Sequence, residues 1–191
     1  GGSRLCTGSL VNNVRQDQIQ YFLTANHCLG GENTWIFMFN YESPTCTNQN
    51  GPTNQTVQGS VLRASRSTSD FALLEITETI PFTYNVNYAG WSAEDVDPQQ
   101  PVGIHHPSGD IKKISFDYDS GVSDGWNGND GSHWRVIEWD DGTTEPGSSG
   151  SPLFDNNYRI VGQLHGGQAS CSFNFNDYYG KFSASWDWGG S

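Results

Sequence analysis

Hydrophobic residues along the chain fall in short runs that are separated by turn residues. Most runs are four to eight residues long and rich in β-branched and aromatic types, and glycine, asparagine, aspartate, serine or proline bounds them. Runs of this kind are typical of β-strands. No long stretch repeats with the 3.6-residue period of an amphipathic helix. The predicted strands cover 8–11, 19–24, 34–40, 56–64, 71–76, 101–105, 111–118, 134–139, 152–154, 159–164 and 179–185.

The strand pattern predicts an all-β fold, either a sandwich or a barrel. A single helical turn is expected after Ala25, where the second run has ended. The segment 85–100 is a natural joint between two strand-rich parts of similar size. We therefore expect an N-terminal unit at 1–85, a connecting segment at 86–100 and a C-terminal unit at 101–191.

Composition and charge limit the classes of function. The formal net charge is -12 at pH 7, and binding to a nucleic-acid backbone needs a basic surface, so nucleic acid is not an expected partner. No apolar run approaches the ~18 residues of a membrane-spanning helix, so a membrane is not an expected partner either. We expect a monomer that uses no cofactor.

The cysteine count bears on the cellular setting. The chain has Cys6, Cys28, Cys46 and Cys171, and an even number fits two disulfides and a secreted, extracellular protein. No C-x-x-C pair is present, so a structural zinc site is not predicted, and we expect no metal.

Three serines lie close together in the segment EPGSSGSPLF at 145–154. A serine hydroxyl becomes a nucleophile only with a histidine base, a carboxylate that orients it, and N–H donors for the oxyanion. His27 follows an apolar strand in FLTANHC, and Asp70 precedes the apolar run FALLE. Taken singly, such a histidine is usually a packing or surface residue and such an aspartate a turn residue. Together, in the order His, Asp, Ser, they predict a catalytic triad.

The motifs TANHC, SDFALLE and GSSGSP resemble those of the trypsin-like serine proteases, and the chain is similar to the bacterial lysyl endopeptidases in particular. The resemblance covers nearly the whole chain, in order, and implies the chymotrypsin-like fold of two antiparallel six-stranded β-barrels. It runs through CTGSLVNN at 6–13, YFLTANHC at 21–28, SDFALLE at 69–75, IHHPSGDIKKIS at 104–115, TEPGSSGSPLF at 144–154, GQLHGG at 162–167 and DYYGKF at 177–182.

The resemblance implies a role for each residue of the triad. His27 would be the general base, Asp70 its orienting carboxylate, and Ser149 the nucleophile of the family pattern G-x-S-G-x-P. The backbone N–H groups of Gly147 and Ser149 would form the oxyanion hole. The mammalian enzymes carry an aspartate before the nucleophile, paired with a freed N-terminal amine. Ser148 stands there in this chain, so that activation switch is absent.

The resemblance also implies cleavage of polypeptides after lysine. Thr143 stands where a trypsin-style pocket acid would lie, so Asp177 is the predicted pocket carboxylate, as in lysyl endopeptidases. Without the resemblance, Asp177 would be interpreted as a turn residue. Gly166 and Gly167 would leave room along the pocket wall for substrate backbone.

His165 and Trp126 complete the predicted substrate-binding residues. An aromatic ring stacked on a histidine lies near the triad in lysyl endopeptidases, and Trp126 with His165 would match that pair. The alternative specificity comes from the same histidine, because glutamyl endopeptidases use a histidine before a Gly-Gly pair to bind a substrate carboxylate. Asp177 argues against that alternative, since a pocket acid would repel glutamate.

The resemblance also bears on the disulfides. Cys6 and Cys28 match a family disulfide, whereas Cys46 and Cys171 either pair with each other or stay free.

A catalytically silent protease-like binding module is the remaining alternative. Its sugar-stacking aromatics would be Trp126, Trp134, Trp186 and Trp188.

Overall fold

The structure, a computed structural model, describes residues 6–186 and consists mainly of β-strands. Four short 3-10 turns accompany the strands in these residues, at Asn26–Cys28, Glu32–Thr34, Phe82–Tyr84 and Pro107–Gly109. The strands and the one α-helix of the described part are β1 (Ser9–Leu10), β2 (Tyr21–Ala25), β3 (Ile36–Met38), β4 (Thr56–Gln58), β5 (Ser60–Arg66), β6 (Phe71–Ile76), β7 (Val102–His105), β8 (Lys113–Phe116), β9 (Val122–Asp124), β10 (His133–Glu138), β11 (Pro152–Phe154), β12 (Ile160–Gly167), β13 (Phe175–Lys181) and α1 (Phe182–Trp186).

The strands of the two halves of the chain form separate antiparallel sheets. In the first half, a four-stranded sheet has the order β1-β2-β6-β5, and β3 pairs with β4. In the second half, seven strands form one sheet in the order β8-β7-β11-β12-β13-β10-β9. This arrangement confirms the antiparallel all-β prediction. The boundaries predicted at 1–85, 86–100 and 101–191 stay a prediction, and their outermost residues, 1–5 and 187–191, lie outside the described part.

Three clusters of buried side chains hold the sheets together. Each half has its own apolar core, and a third cluster joins β2 and β6 of the first half to β12 and α1 of the second. Such burial stabilises each Leu, Ile or Phe side chain by roughly 1.5–3 kcal/mol. The joining cluster places the ends of β2 and β6 against the second half, where the candidate site lies. Its buried members are Val11, Leu23, Phe71, Ile160 and Phe182.

Some predicted strand boundaries were wrong, for identifiable reasons. The run at 56–64 is two strands, because Gly59 adopts a φ of 85° between them. The run at 179–185 ends as a strand at Lys181 and continues as α1, because aromatic rings one helical turn apart, Phe182 and Trp186, both pack on Trp91. A further short strand, β9, pairs with β10 and was not among the predicted strands.

The remaining expectations about the scaffold can be compared directly with the structure. The helical turn expected after Ala25 is present at Asn26–Cys28. Cys6 and Cys28 form the predicted disulfide, with their Cα atoms 6.4 Å apart, whereas Cys46 and Cys171 are both free and exposed. Among the helices of residues 6–186, none is long and apolar enough to cross a membrane.

Candidate active site

His27 and Asp70 meet at the junction of β2 and β6. His27 lies in the helical turn that follows β2, and Asp70 ends the turn that leads into β6, the strand paired with β2. The Nδ1 atom of His27 lies 2.7 Å from Oδ2 of Asp70, and the backbone N–H of His27 donates to Oδ1 at 2.8 Å. Both carboxylate oxygens therefore fix the ring, and Nε2 is left as the nitrogen that can accept a proton.

The backbone of Asp70 has an unusual conformation for a residue with a side chain. Its φ is 52°, in the left-handed region that aspartate and asparagine tolerate better than most other residues. The carbonyl of Asp70 accepts a hydrogen bond from Asn26 N at 2.8 Å, which locks the two turns together. The carboxylate of Asp70 is buried, and its hydrogen bond with the ring of His27 raises the pKa of His27. An ionised carboxylate in this position stabilises the imidazolium form.

The loop that carries Ser149 is tied to the turn of His27 by Thr7. The N–H of Thr7 donates to the carbonyl of Ser149 at 2.8 Å, and the Thr7 hydroxyl donates to the carbonyl of Gly147 at 2.9 Å. Thr7 follows Cys6, whose disulfide partner Cys28 follows His27. A few covalent bonds and two hydrogen bonds therefore connect the serine loop to the histidine.

Two glycines shape the serine loop. Gly147 and Gly150 have φ values of 98° and 81°, which favour glycine strongly. A Cβ on Gly150 would also collide with the side chain of Thr24. Because Thr24 is on β2, two residues before Asn26, this contact places the loop directly against the strand that leads to His27.

The N–H groups of this loop alternate between engaged and open. Ser148 N donates to Glu145 O at 2.9 Å, and Gly150 N donates to Leu164 O at 2.7 Å. Within residues 6–186, the N–H groups of Gly147 and Ser149 donate to no protein acceptor. Two open N–H groups on one tight turn can receive a developing oxyanion.

Ser149 does not hydrogen-bond to His27 in the free protein. Within the described residues, neither the Ser149 hydroxyl nor Nε2 of His27 has a hydrogen-bond partner. In free enzymes, catalytic hydrogen bonds are often long and tighten only when substrate binds. The two groups therefore remain available to each other and to a substrate.

Trp126 and His165 stack in a row with His27. The ring centroids of Trp126 and His165 are 3.8 Å apart at an interplanar angle of 19°, and His165 stacks in turn on His27 at 5.7 Å. His165 lies at a register shift of β12 against β13, between Leu164 and Gly166. Bulges of this kind re-aim a side chain. Here the bulge turns Nε2 of His165 to within 3.8 Å of Oδ2 of Asp70.

Asp177 is a buried carboxylate with one occupied and one unoccupied oxygen. Its Oδ2 accepts hydrogen bonds from Trp139 Nε1 at 2.7 Å and from the Thr144 hydroxyl at 2.6 Å. Its Oδ1 has no hydrogen-bond partner of normal geometry among the described residues, although the backbone N–H of Ala169 also acts on the carboxylate. Burial raises the pKa of Asp177, because a buried carboxylate loses hydration. The pairing that would compensate Oδ1 is a cation.

Gly167 lies directly against the open oxygen of Asp177. A Cβ on Gly167 would lie 2.5 Å from Oδ1 of Asp177 and would collide with the carbonyl of Asn176. Gly167 also lines a cavity of about 240 Å³ together with Trp126, Gln168, Asn176 and Tyr178. A residue with a side chain would therefore not fit between Asn176 and Asp177 at this position. Gly166 lies beside it, with Trp126 3.6 Å from the position of a Cβ.

Two further histidines belong to the site, and sequence reasoning missed both. His105 is buried, and its Nδ1 lies 2.8 Å from the hydroxyl of Ser148. Burial lowers the pKa of His105 to about 4, so the ring is neutral at pH 7. His133, which is fully buried, places Nε2 3.0 Å from Nδ1 of His165. The sequence signal for His133 is weak, since its partner is 32 residues away.

The tryptophans among residues 6–186 do not form an open platform for sugar rings. Trp134 is only 1% exposed, so the expectation that it could stack on a sugar ring was wrong. Its ring packs in the core of the second half because its position on β10 faces inward. Trp186 is half exposed but packs on Trp91 at 4.8 Å, and Trp126 is held by His165. Trp188 lies outside the described residues.

Comparison with known proteins places these motifs in one family. The family described as lysyl endopeptidase, C-terminal domain, matches residues 1–180. A curated lysyl endopeptidase of Pseudomonas aeruginosa is 33% identical over 199 residues; the match covers 96% of this chain and 42% of that protein. The chain therefore spans less than half the length of that relative.

Solved structures share the fold at low sequence identity. A thermostable serine protease, AL20, from an extremophilic microorganism superposes with a TM-score of 0.66 at 14% identity, over 93% of this chain and 84% of that one. The HtrA-type protease AlgW with a decapeptide gives a TM-score of 0.65 at 16% identity, over 95% of this chain and 49% of that one. At such identities the likeness establishes the fold alone. With the family match over nearly all of its length, the chain belongs to the lysyl endopeptidase C-terminal domain family and has the chymotrypsin-like serine protease fold.

Proposed function

We propose that this chain is a secreted serine endopeptidase that hydrolyses polypeptides after lysine through an acyl-enzyme intermediate. The observation that carries the lysine specificity is the buried Asp177 carboxylate, whose Oδ1 has no hydrogen-bond partner in the described residues and lies behind Gly167. A lysine ammonium supplies the missing partner. The net charge of -12 also favours a cationic substrate side chain.

The first half of the reaction forms the acyl-enzyme. The hydroxyl oxygen of Ser149 attacks the carbonyl carbon of the scissile bond while Nε2 of His27 takes the hydroxyl proton. Asp70 holds the imidazolium that results, through its 2.7 Å contact with Nδ1. The oxyanion accepts hydrogen bonds from the open N–H groups of Gly147 and Ser149. Each such donor typically contributes ~3 kcal/mol of transition-state stabilisation. His27 then gives its proton to the leaving amine.

The second half of the reaction releases the product and restores the enzyme. Water attacks the acyl carbonyl while His27 again acts as the base, and the proton returns to the oxygen of Ser149 as the ester bond breaks. In this proposal His27 and Asp70 belong to the unit at 1–85, and Ser149 belongs to the unit at 101–191. The chain acts on its polypeptide substrates as a monomer.

Specificity for glutamate is less well supported by the geometry. A glutamate side chain would place a second carboxylate near Asp177, which like-charge repulsion disfavours. His165 would have to bind that carboxylate, but its Nδ1 is engaged with His133 at 3.0 Å and its Nε2 faces Asp70. Both ring nitrogens of His165 are therefore directed at protein groups.

The disulfide supports an extracellular setting. The Cys6–Cys28 bond lies beside His27, and such bonds are rare in reducing compartments. The chain-entropy model gives a loop of this size roughly 3 kcal/mol of stabilisation. We therefore expect urea unfolding at a lower midpoint after reduction. An unchanged midpoint would remove this support for secretion.

A serine-directed fluorophosphonate tests the nucleophile. The folded protein is treated with the probe and the modified peptide is identified by mass spectrometry. We expect modification of Ser149, loss of modification in Ser149→Ala, and retention in the matched control Ser151→Ala. Modification that persists in Ser149→Ala, or none at all in folded protein, would refute the triad.

A peptide panel that varies only the residue before the scissile bond tests the pocket. Lysine, arginine, glutamate and methionine at that position are compared by kcat/KM. We expect lysine to be preferred by a wide margin. Preference for glutamate would refute the lysine pocket and support the glutamyl alternative, and it would not contradict the proposed triad.

A further inference from the structure

A chain of hydrogen bonds leads from the loop before β10 to the triad. The hydroxyl of Ser132 donates to Oδ1 of Asp130 at 2.6 Å and lies 2.7 Å from Nδ1 of His133. Nε2 of His133 lies 3.0 Å from Nδ1 of His165, whose Nε2 is 3.8 Å from Oδ2 of Asp70. The proposed reaction gives no role to Asp130, Ser132 or His133.

The strand register explains how two distant histidines meet. His133 on β10 and Gln163 on β12 are both paired with Gly180 of β13, the strand between them. A Cβ on Gly180 would collide with the carbonyl of Ser69 and with the Gln163 side chain. Gly180 therefore lets Ser69 and Gln163 pack closely over β13. His133 and His165 meet because β10 and β12 lie on either side of this strand.

The ionised carboxylate of Asp130 lies at one end of this series of hydrogen bonds and fixes the position of each proton along it. Hydrogen bonds from Ser132 lower the pKa of Asp130, so this carboxylate is ionised and can only accept. The single hydroxyl proton of Ser132 goes to Asp130, and its oxygen must accept from Nδ1–H of His133. A neutral imidazole carries one N–H, so Nε2 of His133 accepts, and the proton of that bond belongs to Nδ1 of His165.

The environment of both rings keeps them neutral. Burial lowers the pKa of His133 to about 4 and also lowers the pKa of His165. The charged or titratable groups that act on His165 are Asp70, His27 and His133, and those that act on His133 are Asp130, Asp124, Asp70 and His165. A neutral His165 with its proton on Nδ1 presents a bare Nε2 to Asp70.

We propose that His133 is a positioning residue that fixes the tautomer of His165 and so reserves the Asp70 carboxylate for His27. In the other tautomer, Nε2–H of His165 would point at Oδ2 of Asp70, the same oxygen that holds Nδ1 of His27. Two donors would then share one oxygen, and the imidazolium of His27 would be stabilised less. The inference rests on the proposed function only in its kinetic consequence; the tautomer itself is independent of it.

Nitrogen-15 NMR of the histidine rings tests the tautomer directly. The spectrum is recorded at neutral pH on Ser149→Ala, which prevents self-digestion. We expect His165 to carry its proton on Nδ1 and a bare Nε2, and His133→Leu to move that proton to Nε2. A proton on Nε2 of His165 in the Ser149→Ala chain with His133 intact would overturn the inference, whether or not the protein is an active protease.

The pH profile of kcat/KM tests the consequence. In His133→Leu we expect the plateau to fall about tenfold, which corresponds to weakening one charged hydrogen bond by ~1.4 kcal/mol. The acidic limb should move to lower pH, because the bond to Asp70 is what raises the pKa of His27. His133→Gln should restore both, since an amide oxygen can accept from His165 and an amide N–H can donate to Ser132. The proposal would be refuted if the plateau of kcat/KM fell without a shift of the acidic limb, or if His133→Gln did not restore both. His133 would then be a packing residue.

Discussion

Replacement of Asp177 by asparagine separates the pocket charge from the pocket shape. The amide oxygen of asparagine can accept the two hydrogen bonds that Oδ2 receives from Trp139 and Thr144. The amide NH2 then occupies the place of Oδ1, which has no partner in the described residues. The variant therefore keeps the internal contacts and removes only the charge that a lysine ammonium would meet.

The expected loss of activity is large. Breaking a buried ion pair by removing one partner costs about 3–5 kcal/mol, which corresponds to a fall in kcat/KM of roughly a hundredfold to several thousandfold. The fall applies to lysine substrates, whereas an uncharged methionine substrate should lose far less. The assay is kcat/KM on two peptides that differ only in lysine or methionine before the scissile bond.

Stability should respond in the opposite direction. Burial raises the pKa of Asp177, so the folded state binds a proton more tightly than the unfolded state. The wild type therefore loses stability as pH rises through this window, from the ordinary aspartate value of about 3.9 upward. Asparagine does not titrate, so Asp177→Asn should unfold at an equal or higher urea midpoint at pH 7, and this gain should vanish at low pH.

Asp117→Asn is the matched control. Asp117 is also a buried aspartate of the second half whose pKa is raised by burial, but it hydrogen-bonds to Asp119 N, away from the pocket. We expect it to leave the lysine preference intact. If Asp177→Asn stays folded and keeps kcat/KM for lysine within threefold of the wild type, the pocket assignment is wrong.

Three further predictions concern the base, the pocket wall and self-digestion. Because the bond to Asp70 raises the pKa of His27, activity should fall as pH drops through a value above 6.5, and Asp70→Asn should lower that value along with the rate. Gly167→Ala should abolish lysine cleavage, since its Cβ would collide with Oδ1 of Asp177 and with the carbonyl of Asn176; retained lysine cleavage would contradict this. Incubated enzyme should be cut first after Lys112 or Lys113, which are partly exposed, because the remaining lysine is buried; mass spectrometry that finds first cuts after glutamate would oppose it.

The sequence predicted the strands well because strand signals are local. Short alternations of apolar and polar residues between turn residues indicate strands, and β6 keeps the boundaries predicted for it at Phe71–Ile76. The glycines of GSSGSP are also a local signal, and Gly147 and Gly150 adopt φ values of 98° and 81° in the tight turn. Where local signals compete, prediction failed: α1 carries aromatic residues that fit a strand equally well, and only packing on Trp91 decides.

The neighbours of the triad could not be predicted from local pattern. His133 and His165 lie 32 residues apart, and they meet because β10 and β12 both pair with β13. The bulge that aims His165 at Asp70 is a feature of register between β12 and β13, and no single run of residues encodes it. Register follows from the pairing of whole strands, so such contacts emerge only from the assembled sheet.

Two buried aspartates in this site show how partners decide what a carboxylate can do. Asp70 and Asp177 are both almost fully buried, at 2% and 1% exposure. Asp70 uses both oxygens on His27, so its charge is committed to holding one ring. Asp177 commits only Oδ2, and Oδ1 is without a partner in the described residues. A group that is fully paired orients its neighbour, whereas a group that is half paired in a buried place favours a ligand of opposite charge. In the proposed enzyme, the same residue type would therefore orient the base in one place and select lysine in the other.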